Sequence, residues 1–259
     1  MKLSVYYSGI LFISLLLVIS SCSHTSNLTS EQLEKLKSTT AGNWISSQWL
    51  DAVHDAGSPA RVRGISCMEI IVSAKLDSLA WIEPGKELLV YPIALLNDTS
   101  FSVKSADKRY TFYYAADLKT MFLNDGKQNT RLKKLPSRYA VLSLRGWMSG
   151  LTLFLNEDQI AGEYKLIDEI SGEHSLCALT AYGEVHGLAG YKNYRLCYSG
   201  SCLDQSEGDV ITLSDEKSAD RYIWKWESDT LKFYSVRNTG TLEQPALVPH
   251  DVMFKFVKK

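Results

Sequence analysis

The sequence lacks the short motifs that mark the common enzyme and metal-binding families. It contains no nucleophile elbow, phosphate-binding loop, zinc-binding helix or calcium loop. Its 5 histidines leave few groups for general acid–base catalysis, and no Cys-x-x-Cys or Cys-x-x-His spacing is present to hold zinc. We therefore predict no catalytic residue, no metal ion and no other cofactor.

Concentrated charge of one sign is also absent. Lys and Arg total 28, Asp and Glu total 29, and the formal net charge is −1. Because like charges never form a run, the chain has no electrostatic footprint for nucleic acid and no polybasic membrane contact. Nucleic acid is accordingly excluded as a partner.

Acidic residues stand beside histidines in three places, and these are the strongest local candidates for catalysis. They are Glu184 with His186, Asp51 and Asp55 with His54, and His250 with Asp251. The first lies beside a predicted turn, the second fits the outer side of a surface helix, and the third opens a strand. We predict that all three are solvated surface groups rather than an active site.

A long apolar run occurs only at the N-terminus. Residues 1–21 contain one charge, Lys2, followed by the apolar stretch Gly9–Ile19, which only Ser14 interrupts. This is the layout of a secretory signal peptide, and it is shorter than the run of about 20 apolar residues that a bilayer-spanning helix needs. We predict that residues 1–21 are removed on export.

The end of this segment, Ile19-Ser20-Ser21-Cys22, resembles the lipobox of bacterial lipoproteins, and polar residues follow at once from Ser23 to Asn27. The resemblance implies cleavage before Cys22 and a lipid on Cys22 with several acyl chains such as palmitate. It therefore implies a lipid-anchored protein of the cell envelope. Since no acidic residue follows Cys22 closely, it implies the outer membrane, with the facing left open. The alternative is an ordinary signal peptide that happens to end near a cysteine.

Four further cysteines, Cys67, Cys177, Cys197 and Cys202, form an even set in a chain predicted for an oxidising compartment. The strand-like segment Tyr194–Tyr198 precedes a Ser-Gly turn, so we predict a disulfide between Cys197 and Cys202. Cys67 and Cys177 then either form a second disulfide that joins the two halves of the chain or remain free buried thiols.

The body of the chain has the period-two pattern of β-strands. From Gly64 onward, short runs of alternating apolar and polar residues are separated by turn residues, as at Asn97-Asp98, Asn124-Asp125-Gly126 and Ser228-Asp229. Helices are predicted only at Ser30–Ser38, Ser47–Ala56 and 149–160. The pattern predicts an all-β fold, an antiparallel meander with a few short helices.

A weak internal repeat divides this meander. A leucine-bearing helix followed by Ala41-Gly42-Asn43-Trp44 recurs 120 residues later as a helix followed by Ala161-Gly162-Glu163-Tyr164. We therefore predict a tether with a short helix at 22–38 and two consecutive β-modules at 39–146 and 147–259. A single long barrel is the alternative.

Gly42-Asn43-Trp44 resembles the Gly-x-Trp motif at the first strand of the lipocalin and fatty-acid-binding (calycin) group. The resemblance implies lipocalin-like barrels, with Trp44 plugging one end beneath a basic residue of a late strand, for which Lys255 and Arg237 are the candidates. It implies that helix Ser47–Ala56 acts as a lid. The layout is similar to uncharacterised lipocalin-like lipoproteins of Gram-negative bacteria.

Two functions fit a barrel of this composition. The chain has 14 Tyr, 8 Phe and 6 Trp, and a small apolar ligand could lie among aromatic side chains inside a barrel. The candidate ligand-lining residues are Tyr110, Phe112, Tyr114, Tyr222, Trp224 and Trp226. The alternative is an envelope interaction or structural protein with a solid core, in which loops such as Lys127–Leu135 and Asn238–Val248 contact another protein.

Overall fold

The computed structural model describes residues 28–259 apart from 63, 84–85, 107, 140–148, 168–173, 189, 199–202, 204 and 242. The predicted signal peptide, Cys22 and Cys202 lie outside the described residues. Within the described part, no helix has the length and apolar character needed to cross a membrane.

Three α-helices occur in the described chain, all where the sequence predicts them: α1 at Ser30–Thr40, α2 at Ser47–Ala56 and α3 at Gly150–Gln159. Local chemistry explains their ends. Thr29 and Gln32 form the predicted capping box at the start of α1, which satisfies free backbone N–H groups of the first turn. Gly57 ends α2 in the left-handed conformation that glycine adopts without strain.

The first eight strands form a closed antiparallel barrel, called the first barrel below. Each strand pairs with the next one in sequence, and the last strand pairs with the first. The strands are β1 (Gly42–Ser46), β2 (Glu69–Val72), β3 (Ser78–Ile82), β4 (Leu89–Asn97), β5 (Ser100–Lys104), β6 (Arg109–Ala115), β7 (Thr120–Asn124) and β8 (Asn129–Lys134). The predicted loop Lys127–Leu135 is therefore wrong, because most of it is the strand that closes this barrel.

The remaining eight strands form a second antiparallel sheet that is nearly closed, called the second barrel below. Its strands are β9 (Gly162–Ile167), β10 (His174–Leu179), β11 (Val185–His186), β12 (Asn193–Leu196), β13 (Asp209–Ser214), β14 (Ala219–Glu227), β15 (Thr230–Asn238) and β16 (Leu247–Lys258). Its first and last strands, β9 and β16, pair with each other. The seam between β11 and β12 is crossed by a single bridge, Glu184 to Asn193.

The two barrels are repeats of one arrangement. In each, a helix leads into Ala-Gly-x-aromatic, and the aromatic residue pairs across the closing strands with a lysine, Trp44 with Lys134 and Tyr164 with Lys258. In each, the aromatic side chain donates a hydrogen bond to the carbonyl oxygen four residues earlier. The fold is thus all-β with two consecutive barrel modules, as predicted, and the alternative of one long barrel is wrong.

Two hydrophobic clusters fill the molecule. One lies inside the first barrel and includes Leu36 of α1. The other fills the second barrel and continues into the contact between the barrels, where it takes in Trp49 and Val53 of α2. The predicted lid role of α2 is therefore wrong, because its apolar side packs into this second cluster and not over the interior of the first barrel.

Candidate functional site

Trp44 lies fully buried at the α1 end of the first barrel. Its ring nitrogen donates to the Thr40 carbonyl at 2.7 Å, and the Lys134 ammonium lies 5.3 Å from the ring centroid. The same ammonium donates to the Thr39 carbonyl at 3.1 Å, and partial burial lowers the pKa of Lys134. Such a cation–ring contact contributes about 0.5–1 kcal/mol.

Lys134 holds the position that the sequence analysis gave to Lys255 or Arg237. Both of those residues lie in the second barrel, on β16 and β15. The strands of Lys255 and Arg237 are late in the whole chain, whereas the last strand of the barrel that contains Trp44 is β8. The assignment of Lys255 or Arg237 is therefore wrong.

The candidate residues of β6 line the interior of the first barrel. Phe112 is fully buried and stacks on Phe101, with ring centroids 5.0 Å apart and planes inclined by 12°. Tyr110 and Tyr114 are partly buried on the same side of the strand and contact Trp81 and Trp44 respectively. An eight-stranded barrel is just wide enough for its own side chains to fill it, and here aromatic rings in mutual contact occupy the interior.

The candidate residues of β14 divide between interior and rim. Tyr222 and Trp224 are buried in the second barrel, where Tyr222 contacts Phe233 and Phe254. Trp226 is 37% exposed, and its ring nitrogen donates to the Gln159 carbonyl at the end of α3, at 2.9 Å. Trp226 therefore joins α3 to the barrel rim and does not line an interior.

One polar atom in each barrel interior has no hydrogen-bond partner among the described residues. These atoms are the ring nitrogens Nε1 of Trp81 and Trp224, both buried. A buried N–H group without an acceptor costs about 1–3 kcal/mol, so an acceptor at either position stabilises the protein. Trp81 belongs to β3 and contacts Tyr110 with ring centroids 5.0 Å apart.

A buried carboxylate joins the first barrel to the helix of the second. Glu69 of β2 is fully buried and accepts hydrogen bonds from the Asn43 side-chain amide at 2.5 Å and from the Leu151 backbone N–H at 3.0 Å. Burial raises the pKa of Glu69, while these hydrogen bonds and those of Ser149 and Gly150 act to lower it. The free N–H groups and positive end of the α3 dipole thus meet a carboxylate from the neighbouring barrel.

The reverse contact uses a carboxylate of the second barrel. Asp209 of β13 is buried and accepts a hydrogen bond from the Ala60 backbone N–H at 2.7 Å, in the 3₁₀ turn Pro59–Arg61 that follows α2. Burial raises the pKa of Asp209, opposed by its hydrogen bonds to Ser58 and Ala60. Each barrel therefore supplies one buried acid to a short helix attached to the other.

The cysteines divide into two kinds. Cys67 and Cys177 are buried free thiols. Of the two predicted alternatives, the free buried thiols are therefore correct and the disulfide between these two residues is wrong. Burial is the main cause that raises the pKa of both thiols. Cys197 is disulfide-bonded, and its predicted partner Cys202 lies outside the described residues.

The three places where an acidic residue stands beside a histidine all lie on the surface. His186 Nε2 is 3.8 Å from the Glu184 carboxylate, with the two side chains 64% and 42% exposed, and His250 Nε2 is 3.4 Å from exposed Asp251. Asp51 pairs with Arg131 of β8 and not with its helix neighbours. Within the described residues, no group of three or more His, Cys, Asp or Glu side chains is arranged to hold a metal ion.

A shallow cleft lies on the outside of the second barrel, across β9, β10 and β11. Its volume is about 190 Å³, below the roughly 300–1,000 Å³ of sites that enclose a small molecule. One wall holds an ion pair, Glu163 to Lys259 at 3.1 Å. The lining residues are Glu163, Leu176, Cys177, Ala178, His186, Gly187 and Lys259.

The two buried acids were not predicted from the sequence, although a local signal marks one of them. Glu69 interrupts the apolar run Met68–Val72, where a charged residue on a strand is unusual unless it has a buried partner. Asp209 begins its strand directly after a glycine, a context that is also typical of a turn residue. The partners of both lie far away in sequence, 82 residues for Glu69 and Leu151 and 149 for Asp209 and Ala60.

Comparison with known proteins adds no relative. The chain matches no protein family, no curated protein and no protein of solved structure.

Proposed function

We propose that the protein is a lipid-anchored component of a bacterial cell envelope, attached through Cys22, and that its two barrels form a rigid body for contacts at their outer surfaces. The apolar segment Gly9–Ile19 and the Ile-Ser-Ser-Cys ending support the anchor. The observation that carries the second part is the packing of the interiors. In both barrels the buried ligand-lining candidates belong to the hydrophobic cluster and contact other aromatic rings of the interior, as Phe112 contacts Phe101 and Tyr222 contacts Phe233.

Native mass spectrometry of the protein extracted from its own envelope in mild detergent tests this proposal. We expect an acylated chain without a bound small molecule, and no displacement or uptake of a fluorescent fatty acid. A stoichiometric small-molecule adduct that survives extraction contradicts the solid-core function. The Cys22→Ala variant is the matched control, because it keeps the barrels and loses the acyl chains.

A second candidate function is a carrier for a small apolar molecule that bears one hydrogen-bond acceptor. The buried ring nitrogen of Trp81 supports it, since this donor faces the first barrel interior without a partner among the described residues. A ligand carbonyl or carboxylate would satisfy the donor, and so would a water molecule.

The variant Trp81→Phe distinguishes the carrier from the solid barrel. The variant removes the donor and keeps an aromatic ring. A carrier that uses this donor should therefore lose ligand affinity by about tenfold, because one hydrogen bond contributes about 0.5–1.5 kcal/mol. Trp224→Phe makes the equivalent change in the second barrel and serves as the control. Equal ligand retention by wild type and both variants rules out a role for these donors.

A further inference from the structure

The outer side of β4, together with Leu88 just before it, is an apolar stripe made of Leu88, Val90, Pro92, Ala94 and Leu96. All five side chains are exposed, among them Val90 at 62%, Leu88 at 52% and Leu96 at 42%. Of the intervening residues, Tyr91, Ile93 and Leu95 pack against the interior cluster, whereas Leu89 at the start of the strand is also exposed. Because successive strand residues point to opposite faces, the stripe points away from the barrel.

The stripe is uncharged along its whole length. Residues 88–97 contain no Asp, Glu, Lys or Arg, and Glu87 and Asp98 flank them. Isolated exposed apolar residues are ordinary, but a contiguous row marks a contact surface. Farther around the barrel, the rings of Tyr113 and Phe122 stack with centroids 4.9 Å apart.

The stripe lies on a part of the first barrel surface that is separate from the contact with the second barrel. The second module contacts the outer side of β1 and β2, where Asn43 and Glu69 meet the start of α3. In a closed barrel of eight strands ordered in sequence, β4 lies two strands from β2 and three strands from β1, about a third of the way around the barrel. The second barrel therefore leaves the stripe uncovered.

The predicted anchor lies close to this same barrel. Leu28, which packs against the first barrel's interior cluster, is six residues after Cys22. Six residues span at most about 20 Å when fully extended. A lipid on Cys22 thus keeps the first barrel beside the bilayer, while the second barrel is attached only through the first.

We infer that the apolar stripe of β4 rests on the bilayer surface that holds the acyl chains of Cys22, an inference that depends on the proposed anchor. Apolar side chains on an anchored protein enter the boundary between headgroups and acyl chains, and they add to the attachment that the lipid provides. In this orientation the outer side of β1 and β2, which contacts the second barrel, does not face the membrane.

Depth-dependent fluorescence quenching tests the inference on the acylated full-length protein in phosphatidylethanolamine–phosphatidylglycerol vesicles. An environment-sensitive dye is attached to Val90→Cys, and to Lys133→Cys on exposed β8 as the matched site on the same barrel. Native Cys67 and Cys177 are buried, and the labelled parent protein measures any background. Lipids with brominated acyl chains act as the quencher.

We expect the dye at residue 90 to be quenched about threefold more than the dye at residue 133, because only the first reaches the acyl boundary. The double variant Leu88→Asp, Leu96→Asp, made in the Val90→Cys protein, should reduce that quenching to the level at residue 133. Its acyl chains should still carry it with the vesicles in a flotation gradient.

The other outcomes overturn the inference in distinguishable ways. Equal quenching at both sites in protein that floats with the vesicles refutes the stripe contact and leaves the anchor intact. Failure to float refutes the anchor and the stripe contact together. A blue shift at residue 90 without quenching, in protein that cross-links as a dimer, shows that a second copy covers the stripe.

Discussion

Replacing Glu69 with alanine removes the acid that joins the first barrel to α3. The side chain accepts hydrogen bonds from Leu151 at 3.0 Å and Asn43 at 2.5 Å, and the whole residue is buried. The change therefore takes this acceptor away from two buried donors, the Leu151 N–H at the start of α3 and the Asn43 side-chain amide on β1.

The expected loss of unfolding free energy is about 3 kcal/mol. An unpaired buried donor costs about 1–3 kcal/mol, and loss of a helix cap costs about 1 kcal/mol. The cap and the Leu151 N–H are one interaction, so the two figures overlap and are not added in full. Burial raises the pKa of Glu69 in the folded protein, because it disfavours the charged carboxylate. Removing the side chain removes this unfavourable contribution and so offsets part of the lost stability.

Urea denaturation followed by tryptophan fluorescence and circular dichroism measures this loss. Glu163→Ala is the matched control, because Glu163 follows the repeated glycine of the second barrel and forms only an exposed ion pair with Lys259. The control should change stability by no more than about 0.5 kcal/mol. If both alanine variants unfold at the same urea concentration with equal slopes, the assignment of Glu69 as a buried cap is wrong.

Three further outcomes follow from particular residues. Burial raises the pKa of Glu69 in the folded protein, so the stabilisation from its protonation is complete below the unfolded carboxyl pKa of about 4.3 and is lost as pH rises through the folded pKa. In urea titrations, wild type should therefore lose stability relative to Glu69→Gln as the pH is raised above about 4. Gly42→Ala should lower the free energy of unfolding by about 1–2 kcal/mol, because φ is +116° and the new Cβ would lie 3.1 Å from the Lys134 side chain. The control Gly162→Ala places its Cβ at ordinary distances from its neighbours and should lower the free energy of unfolding by less in the same assay. Cys67 and Cys177 should react with a maleimide mass tag only after denaturation, and fast tagging of either in the native protein contradicts their burial.

Features determined by neighbouring residues were predictable from the sequence. The ends of α1 and α2 follow from the Thr29 capping box and from Gly57, and both appear as predicted. The hairpin turn at Ser228-Asp229 likewise joins β14 to β15. Alternation correctly placed Phe112 and Trp224 inside a barrel, because side-chain direction in a strand depends only on position.

Features determined by pairing between distant strands were not predictable. The lysine beside Trp44 could be named only after the register Trp44 to Lys134 was known, and that register depends on closure of the barrel at β8. The internal repeat at Gly162 indicates that each module closes on its own strands, which restricts the basic partner of Trp44 to the first module. Trp226 was misplaced for a related reason, because its position on the barrel rim depends on where α3 ends.

The intact mass of the protein extracted from its native membrane is the decisive test of the lipid anchor. We predict a chain of residues 22–259 that carries acyl chains on Cys22, and a Cys22→Ala variant without them. A chain that retains residues 1–21, or one that begins at or after residue 22 without acyl chains, contradicts the lipid anchor and the membrane orientation inferred from it.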